Sequence, residues 1–182
     1  MKIEDNFLDQ NTFDGLQTLM IGKGEVKEKF AWYYSDGIDF KYESSDPLDY
    51  FNYMFVHVFY FRAFACSPLF GNMEPLLVKI SPMSLWRIKA NLLTRTPNII
   101  KNTFHVDILD LPEEKLKQWT TSIFYINTNN GYTEFEDGTK VESIANRMVF
   151  FPSNVKHRGT SCTDEKTRVV INFNYFSRHF CE

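Results

Sequence analysis

The second half of the chain alternates between apolar and polar positions over many short segments, which is the pattern of β-strands. From Leu85 onward these segments are LWRIKANLL, FHVDIL, WTTSIFYIN, YTEFED, TKVES, RMVFFP and RVVINFNYF. Turns rich in Asn, Gly, Asp and Pro separate them, and EDGTK in particular favours a hairpin. Strands this numerous and short predict a mainly β fold, an antiparallel sandwich or jelly roll.

The N-terminal half mixes helical and strand patterns. NTFDGLQTLMIGKG predicts a short helix that Asn11 caps and Gly22 ends, and SPLFGNMEPLLVKI predicts a second helix that begins after Ser67. FAWYYSDG and FNYMFVHVFYF predict strands, and LPEEKLKQW a solvated turn or short helix. We therefore expect one domain over residues 1–182, in which a helix and strand layer (1–84) buttresses a β core (85–176).

Composition narrows the class of protein. Of the 182 residues, 16% are aromatic and 18 are Phe, which suits a β-rich interior. A formal charge of −3 argues against non-specific binding of nucleic acid. Cys66, Cys162 and Cys181 lack the spacing of a zinc site or a disulfide framework. The N-terminus does not have the pattern of a signal peptide, and the most apolar run, MFVHVFYFRAFAC, is too short to span a membrane. These features predict a cytoplasmic protein.

His105 and Asp107 stand one residue apart in FHVDIL, so in an extended segment their side chains leave the same face of the backbone. This geometry suits a chelating pair, but a hydrogen-bonded pair at a strand edge has the same spacing. His157, at a strand end in FPSNVKHRGT, is a third candidate ligand. Two His and one carboxylate make the facial triad of non-haem Fe(II) oxygenases, which leaves coordination positions open.

Arg168 opens the strand RVVINFNYF, where it shares one face with Asn172 and Asn174. The opposite face is entirely apolar and belongs to the core. The polar face lies close in sequence to His157, which suits the floor of a polar pocket, and an arginine there can grip a carboxylate through paired hydrogen bonds.

These spaced elements resemble the 2-oxoglutarate/Fe(II)-dependent dioxygenases, and the order SIFYIN, GYTEF, RMVFFPSNVKHRG, RVVINFNYF is similar to their prolyl-hydroxylase-like branch, in particular the small single-domain members of phages and bacteria. The resemblance covers roughly residues 85–176 and implies a double-stranded β-helix, with host cytoplasm as the location if a phage encodes the chain. It assigns His105, Asp107 and His157 to Fe(II) and Arg168 to the distal carboxylate of 2-oxoglutarate. The remaining co-substrate contacts that it implies are Tyr125, Asn91 in place of the usual tyrosine, and Asn172.

The implied reaction is hydroxylation of a substrate C–H by O₂, with release of succinate and CO₂. The first expectation for the substrate is a peptide or protein side chain of prolyl type, with the loop Leu93–Thr103 closing over it. Two alternatives stay open: an oxygenase that acts on nucleic-acid bases, and a jelly-roll binding or virion-associated protein without catalysis. The sequence predicts no oligomeric state. Four basic residues flank the metal motifs and predict either a cationic rim or scattered surface charge: Arg95, Lys101, Lys156 and Arg158.

Overall fold

A computed structural model describes residues 1–22, 30–38 and 52–177 of the chain. Their strands are β1 (Lys2–Glu4), β2 (Tyr33–Ser35), β3 (Met54–Phe61), β4 (Phe64–Ala65), β5 (Ser84–Thr94), β6 (Trp119–Tyr125), β7 (Tyr132–Phe135), β8 (Lys140–Glu142), β9 (Arg147–Pro152), β10 (His157–Gly159) and β11 (Thr167–Phe176). Their helices are α1 (Gln10–Ile21), a 3-10 helix (Pro68–Met73), α2 (Glu74–Ile80) and α3 (Glu113–Leu116). Cys181, considered above, lies outside the described residues.

The strands form two antiparallel sheets. The large sheet has the order β1-β9-β6-β11-β5-β3-β2, with β4 paired to β3, and the small sheet has the order β10-β7-β8. Phe135 and Val141 of the small sheet pack against Ile123, Tyr125 and Phe151 of the large sheet. This arrangement confirms the predicted jelly roll, whose interior lies between the sheets.

β11 occupies the middle of the large sheet. Its side chains alternate between two faces, one packed against the helices and the other facing the space between the two sheets. Val169, Ile171 and Phe173 belong to a core that also contains residues of α1 and α2. Arg168 and Asn172 point to the opposite face, between the sheets. Burying each large apolar side chain stabilises the fold by about 1.5–3 kcal/mol, so the apolar face of β11 must point towards the helices. Because side chains alternate along a strand, Arg168 and Asn172 must then point to the other side. The helices buttress the large sheet as predicted.

Helix α1 forms where the sequence predicts it, but its cap is different. Asp9, not Asn11, caps the helix, since its side chain accepts from Thr12 N at 3.0 Å. An aspartate two residues earlier offers a charged acceptor to the free N–H groups of the first turn. Gly22 ends the helix with a φ of 66°, as predicted.

The predicted helix over residues 67–80 is two helices. Ser67 caps the first, with its hydroxyl 3.0 Å from Leu69 N, and this 3-10 helix ends at Met73. Pro75 has no N–H to donate to a carbonyl of the preceding 3-10 helix, so that helix cannot run on through it. The first turn of α2 needs no such donor, and Pro75 fits there. LPEEKLKQW contains the one-turn helix α3.

Two side chains from the sequence analysis are structural. His57 is buried and bonded at both ring nitrogens, Nδ1 to the Ala31 carbonyl at 2.7 Å and Nε2 to Ser67 Oγ at 2.8 Å. Cys162 is a buried free thiol whose pKa is raised by burial. None of the helices in the described ranges is both long and apolar enough to cross a membrane.

Candidate metal centre

Three ligand-type side chains converge between the sheets. One ligand atom from each of His105, Asp107 and His157 lies within 4.8 Å of the others. Nε2 of His105 is 4.0 Å from Oδ1 of Asp107, and the two imidazole rings have centroids 5.0 Å apart. Among the described residues the group contains these three and no fourth. The sequence analysis predicted the same set.

The backbone that places the first two ligands is not the predicted strand. FHVDIL contains a single antiparallel bridge, between His105 and His157, with both backbone N–H···O distances at 3.0 Å. The prediction of a strand over these residues was wrong because the partner strand β10 is only three residues long and begins at His157. The bridge nevertheless sets the two histidines directly opposite one another, which is what brings their rings together.

Hydrogen bonds orient both histidine rings. Nδ1 of His105 lies 3.0 Å from the Thr103 carbonyl, and Nδ1 of His157 lies 3.3 Å from the Val155 carbonyl. A carbonyl oxygen only accepts, so each Nδ1 carries the proton and each Nε2 keeps its lone pair. Nε2 of His157 is buried and has no hydrogen-bond partner within the part of the chain that the structure describes. Such an orphaned acceptor fits a metal ligand.

The protonation states of the group also suit a metal. Burial lowers the pKa of His157 to about 4, so its imidazole is neutral near neutral pH. Burial alone would raise the pKa of Asp107, but the charges of Arg87 and the two histidines, with a hydrogen bond from Asn174, hold it well below the ordinary value. The carboxylate is therefore ionised while the imidazole is neutral, which are the forms that bind a cation.

Two neighbouring strands hold Asp107 in place. On β5, Nη2 of Arg87 lies 2.9 Å from Oδ1 of Asp107. On β11, the side-chain amides of Asn174 and Asn172 donate to Oδ2 of Asp107 at 2.9 Å and 3.4 Å. The sequence analysis missed Arg87 and gave no role to Asn174. The sequence does contain a signal for Arg87. In β5 the polar residues alternate with Ile88, Ala90 and Leu92, which places Arg87, Lys89 and Asn91 together on the inner face.

Arg168 is buried at the other end of the same cavity. Its Nε donates to Ser143 Oγ at 2.8 Å and its Nη2 to Thr133 Oγ1 at 3.2 Å. Among the described residues its neighbours are these hydroxyls and the Tyr125 ring, 5.7 Å from Cζ, and they include no carboxylate. A buried guanidinium with only neutral partners is a site for an anion.

Six of the seven predicted site residues line one cavity, namely His105, Asp107, His157, Arg168, Asn91 and Asn172. The seventh, Tyr125, is fully buried behind Thr133, to whose Oγ1 it donates at 2.8 Å, so its link to the cavity passes through that threonine. The side-chain oxygens of Asn91 and Asn172 are buried, and residues 1–22, 30–38 and 52–177 offer them no hydrogen-bond partner. Sequence reasoning missed Thr133 and Ser143, which come from turns and short strands.

The loop Leu93–Thr103 is fastened to the fold. Backbone bonds join Arg95 N to Lys166 O at 3.0 Å and Asn102 N to Gly159 O at 3.1 Å, and Ser161 Oγ accepts from Ile100 N at 2.8 Å. In this structure the loop therefore forms a wall of the site, and its closure over a substrate stays a prediction.

The basic residues around the site pair with acids. Lys101 Nζ and Arg158 Nη2 lie 3.3 and 2.7 Å from the buried carboxylate of Glu134, and Lys156 pairs with Glu136 at 3.1 Å. The two carboxylates offset part of the positive charge of the predicted cationic rim, in which Lys101 and Arg158 share Glu134.

The chain is similar in fold to solved structures of oxygenases. A prolyl hydroxylase from Trichoplax adhaerens, in complex with a peptide fragment of the hypoxia inducible factor oxygen degradation domain, shares 14% identity over 98% of this chain and 84% of its own, with a TM-score of 0.56. A 2OG-Fe(II) oxygenase family oxidoreductase from Burkholderia pseudomallei has 10% identity, coverage of 94% and 82%, and a TM-score of 0.62. A prolyl-4-hydroxylase from Pseudomonas putida has 14% identity, coverage of 97% and 92%, and a TM-score of 0.52. The chain has the fold of the 2OG-Fe(II) oxygenases.

No protein-family model and no curated protein matches the chain. The likeness therefore lies in the fold, and the resemblance of motifs found in the sequence agrees with it. At 10–15% identity the neighbours leave the substrate of this chain open.

Proposed function

We propose that the chain is an Fe(II)- and 2-oxoglutarate-dependent dioxygenase that hydroxylates a substrate C–H. The observation that carries the proposal is one cavity with two chemically complementary ends. At one end His157 Nε2 is buried beside Asp107 and His105, with no hydrogen-bond partner among the described residues. At the other end Arg168 is buried among neutral partners. A divalent cation suits the first set and a distal carboxylate suits the second.

In this function His105, Asp107 and His157 would hold Fe(II). Bound iron would supply the activation of O₂, so that one oxygen atom would go to succinate as 2-oxoglutarate loses CO₂ and the other would become the hydroxyl of the product. The chain supplies position and shielding. Arg168 would bind the distal carboxylate of 2-oxoglutarate, and Thr133 stands beside it as a hydroxyl partner. Walls such as Ile123 and Val170 exclude water, which strengthens every charge interaction inside.

The proposed substrate is a peptide or protein side chain, with proline as the first candidate. At the end of the large sheet beyond Asp107 and away from Arg168, the register between β5 and β11 shifts after Asn174. There Trp86 and Trp119 meet edge to face with centroids 5.9 Å apart. Phe176 lies 6.1 Å from the Trp119 ring, and the exposed Phe61 lies 6.4 Å from Trp86. Indole faces suit a prolyl ring and a peptide backbone. We assign this aromatic group to the peptide.

The alternative of a nucleic-acid substrate has less support. Aromatic rings also stack with bases, but binding to a phosphate backbone requires several unpaired cations. Lys101, Arg158 and Lys156 are occupied by Glu134 and Glu136, and Arg62, beside the aromatic group, pairs with Asp110.

Two measurements test the proposal. Anoxic addition of Fe(II) and 2-oxoglutarate to the metal-free protein should produce the visible charge-transfer absorption of the chelate, and Asp107→Ala and His157→Ala should abolish it. Succinate release should then be stimulated by a proline-containing peptide, and Trp119→Leu should remove the stimulation while leaving the slow decay of 2-oxoglutarate without substrate. Stimulation by single-stranded nucleic acid but by no peptide would move the assignment to a base oxygenase. Absence of the absorption in the unmodified protein would refute the dioxygenase.

A further inference from the structure

The carboxylate of Asp107 forms a buried ion pair inside the candidate metal centre. Arg87 Nη2 lies 2.9 Å from Asp107 Oδ1, and the two side chains are only 14% and 5% exposed. The guanidinium is itself fixed, because its Nε donates to Asn174 Oδ1 at 3.0 Å. A positive side chain thus contacts a carboxylate that is already assigned to a cation.

The two oxygens of Asp107 have different surroundings. Oδ1 is the oxygen that faces the ligand histidines, at 4.0 Å from His105 Nε2, and it is also the oxygen that Arg87 contacts. Oδ2 accepts from Asn174 at 2.9 Å and from Asn172 at 3.4 Å. The amides therefore set the orientation of the carboxylate, while the arginine and a bound metal would share one oxygen.

We propose that Arg87 is a permanent positive charge of the metal centre, which weakens binding of the divalent cation and strengthens binding of the doubly negative co-substrate. The inference rests on the proposed function, since it takes the co-substrate to be a dicarboxylate. An arginine keeps its charge throughout the physiological pH range. It repels the metal and attracts the dianion, and both interactions are strong in a cavity shielded from water.

A role in positioning alone makes a different prediction. If Arg87 only held Asp107 in its orientation, its loss would weaken metal binding, and with it the co-substrate binding that depends on the metal. A charge effect shifts the two affinities in opposite directions: tighter for the metal, weaker for the dianion. The sign of the first change separates the two roles.

The experiment compares three substitutions of Arg87. Arg87→Gln keeps a hydrogen-bond donor without the charge, Arg87→Met removes both, and Arg87→Lys keeps the charge. Mn(II) affinity is measured by electron paramagnetic resonance of the free ion, without co-substrate. The affinity for 2-oxoglutarate is then measured by calorimetry at saturating Mn(II). Circular dichroism and thermal unfolding establish that each protein is folded.

We expect the two neutral variants to bind Mn(II) about tenfold more tightly and 2-oxoglutarate about three- to tenfold more weakly, and Arg87→Lys to stay within about threefold of the unmodified protein for both. Weaker binding of both ligands by the neutral variants, or a lysine variant that behaves like them, would overturn the inference. Either neutral variant decides the question if the other does not fold. An unmodified protein that binds neither Mn(II) nor Fe(II) would instead refute the proposed function, so the two failures are distinguishable.

Discussion

The backbone of Gly131 lies directly against the side chain of Arg168. A Cβ atom at this glycine would come 2.6 Å from Arg168 Cδ and 2.7 Å from the Ser161 carbonyl oxygen. Asn129 fixes the approach, since its Oδ1 accepts from Gly131 N at 3.0 Å. The buried guanidinium is thus positioned by close backbone packing as well as by its two hydroxyl partners.

The first prediction concerns this contact. Gly131→Ala should lower the free energy of unfolding by about 1–3 kcal/mol and weaken 2-oxoglutarate binding, because either Arg168 or the Ser161 backbone has to move. The measurements are denaturant unfolding and a 2-oxoglutarate titration. Gly71→Ala is the matched control, since a Cβ there meets nothing within 4 Å. Equal behaviour of the two variants would contradict the role of Gly131.

The second prediction concerns Arg168 itself. Arg168→Met should weaken 2-oxoglutarate binding at least about tenfold, because the variant loses a charge-assisted pair of hydrogen bonds to the carboxylate. Mn(II) affinity should stay within about threefold. Tyr125→Phe should cause a smaller loss, since Tyr125 acts through Thr133. Binding by Arg168→Met that matches the unmodified protein would show that the co-substrate lies elsewhere.

The fold was predictable from local rules, whereas the three candidate metal ligands were predictable only with the help of a family resemblance. Alternation assigns each residue of β11 to one face of its strand, so the placement of Arg168 beside Asn172 needs only the strand itself. The resemblance then linked three distant segments that no spacing rule joins. The jelly roll and the convergence of His105, Asp107 and His157 were both predicted in this way.

Contacts between strands distant in the sequence were not predictable in the same way. Arg87 reaches Asp107 only because β5 pairs with β11 in the register that sets Arg87 beside Asn174. Thr133 and Ser143 reach Arg168 from the small sheet and a turn. Register and sheet-to-sheet packing decide these contacts, and periodicity along one segment does not encode them. For the same reason the sequence did not predict the hydrogen bond from the loop residue Ile100 to Ser161.

The third prediction concerns the pH dependence of stability without metal. The pKa of His157 is about 4 in the folded protein, against about 6.5 in the unfolded chain. Between these values the unfolded state binds the extra proton, so stability falls as the pH is lowered from about 6.5 towards 4, by roughly 3 kcal/mol in all. Asp107, whose pKa is held low, stays ionised in the folded protein throughout this window, and its own contribution is lost mainly below the ordinary aspartate pKa of about 4.

Unfolding of the chelator-treated protein between pH 7.5 and 4.5 measures this effect. His157→Gln removes the titrating group and keeps a polar side chain, so the variant should lose most of the dependence over that range. The two proteins differ only at residue 157, so the difference between their pH profiles isolates this side chain. An unchanged slope in His157→Gln would show that another group causes the pH dependence.

The last prediction concerns Glu134, the carboxylate that pairs with basic residues on both sides of the site. Glu134 is buried on β7, with Lys101 of the loop on one carboxylate oxygen and Arg158, beside His157, on the other. Arg158 also lies over the Phe104 ring, 4.1 Å from its centroid, next to His105. One carboxylate thus links the segments that carry both histidine ligands.

Glu134→Gln should lower the free energy of unfolding by about 1–3 kcal/mol, because it leaves two cations near a partly buried amide. It should also weaken Mn(II) binding several-fold, since the two histidine segments lose their common anchor. Glu136→Gln removes the exposed pair with Lys156 and is the matched control, with a change within about 0.5 kcal/mol. Unfolding and Mn(II) titration of both variants make the comparison. Loss of stability without any loss of metal affinity would show that the carboxylate supports the fold but does not position the ligands.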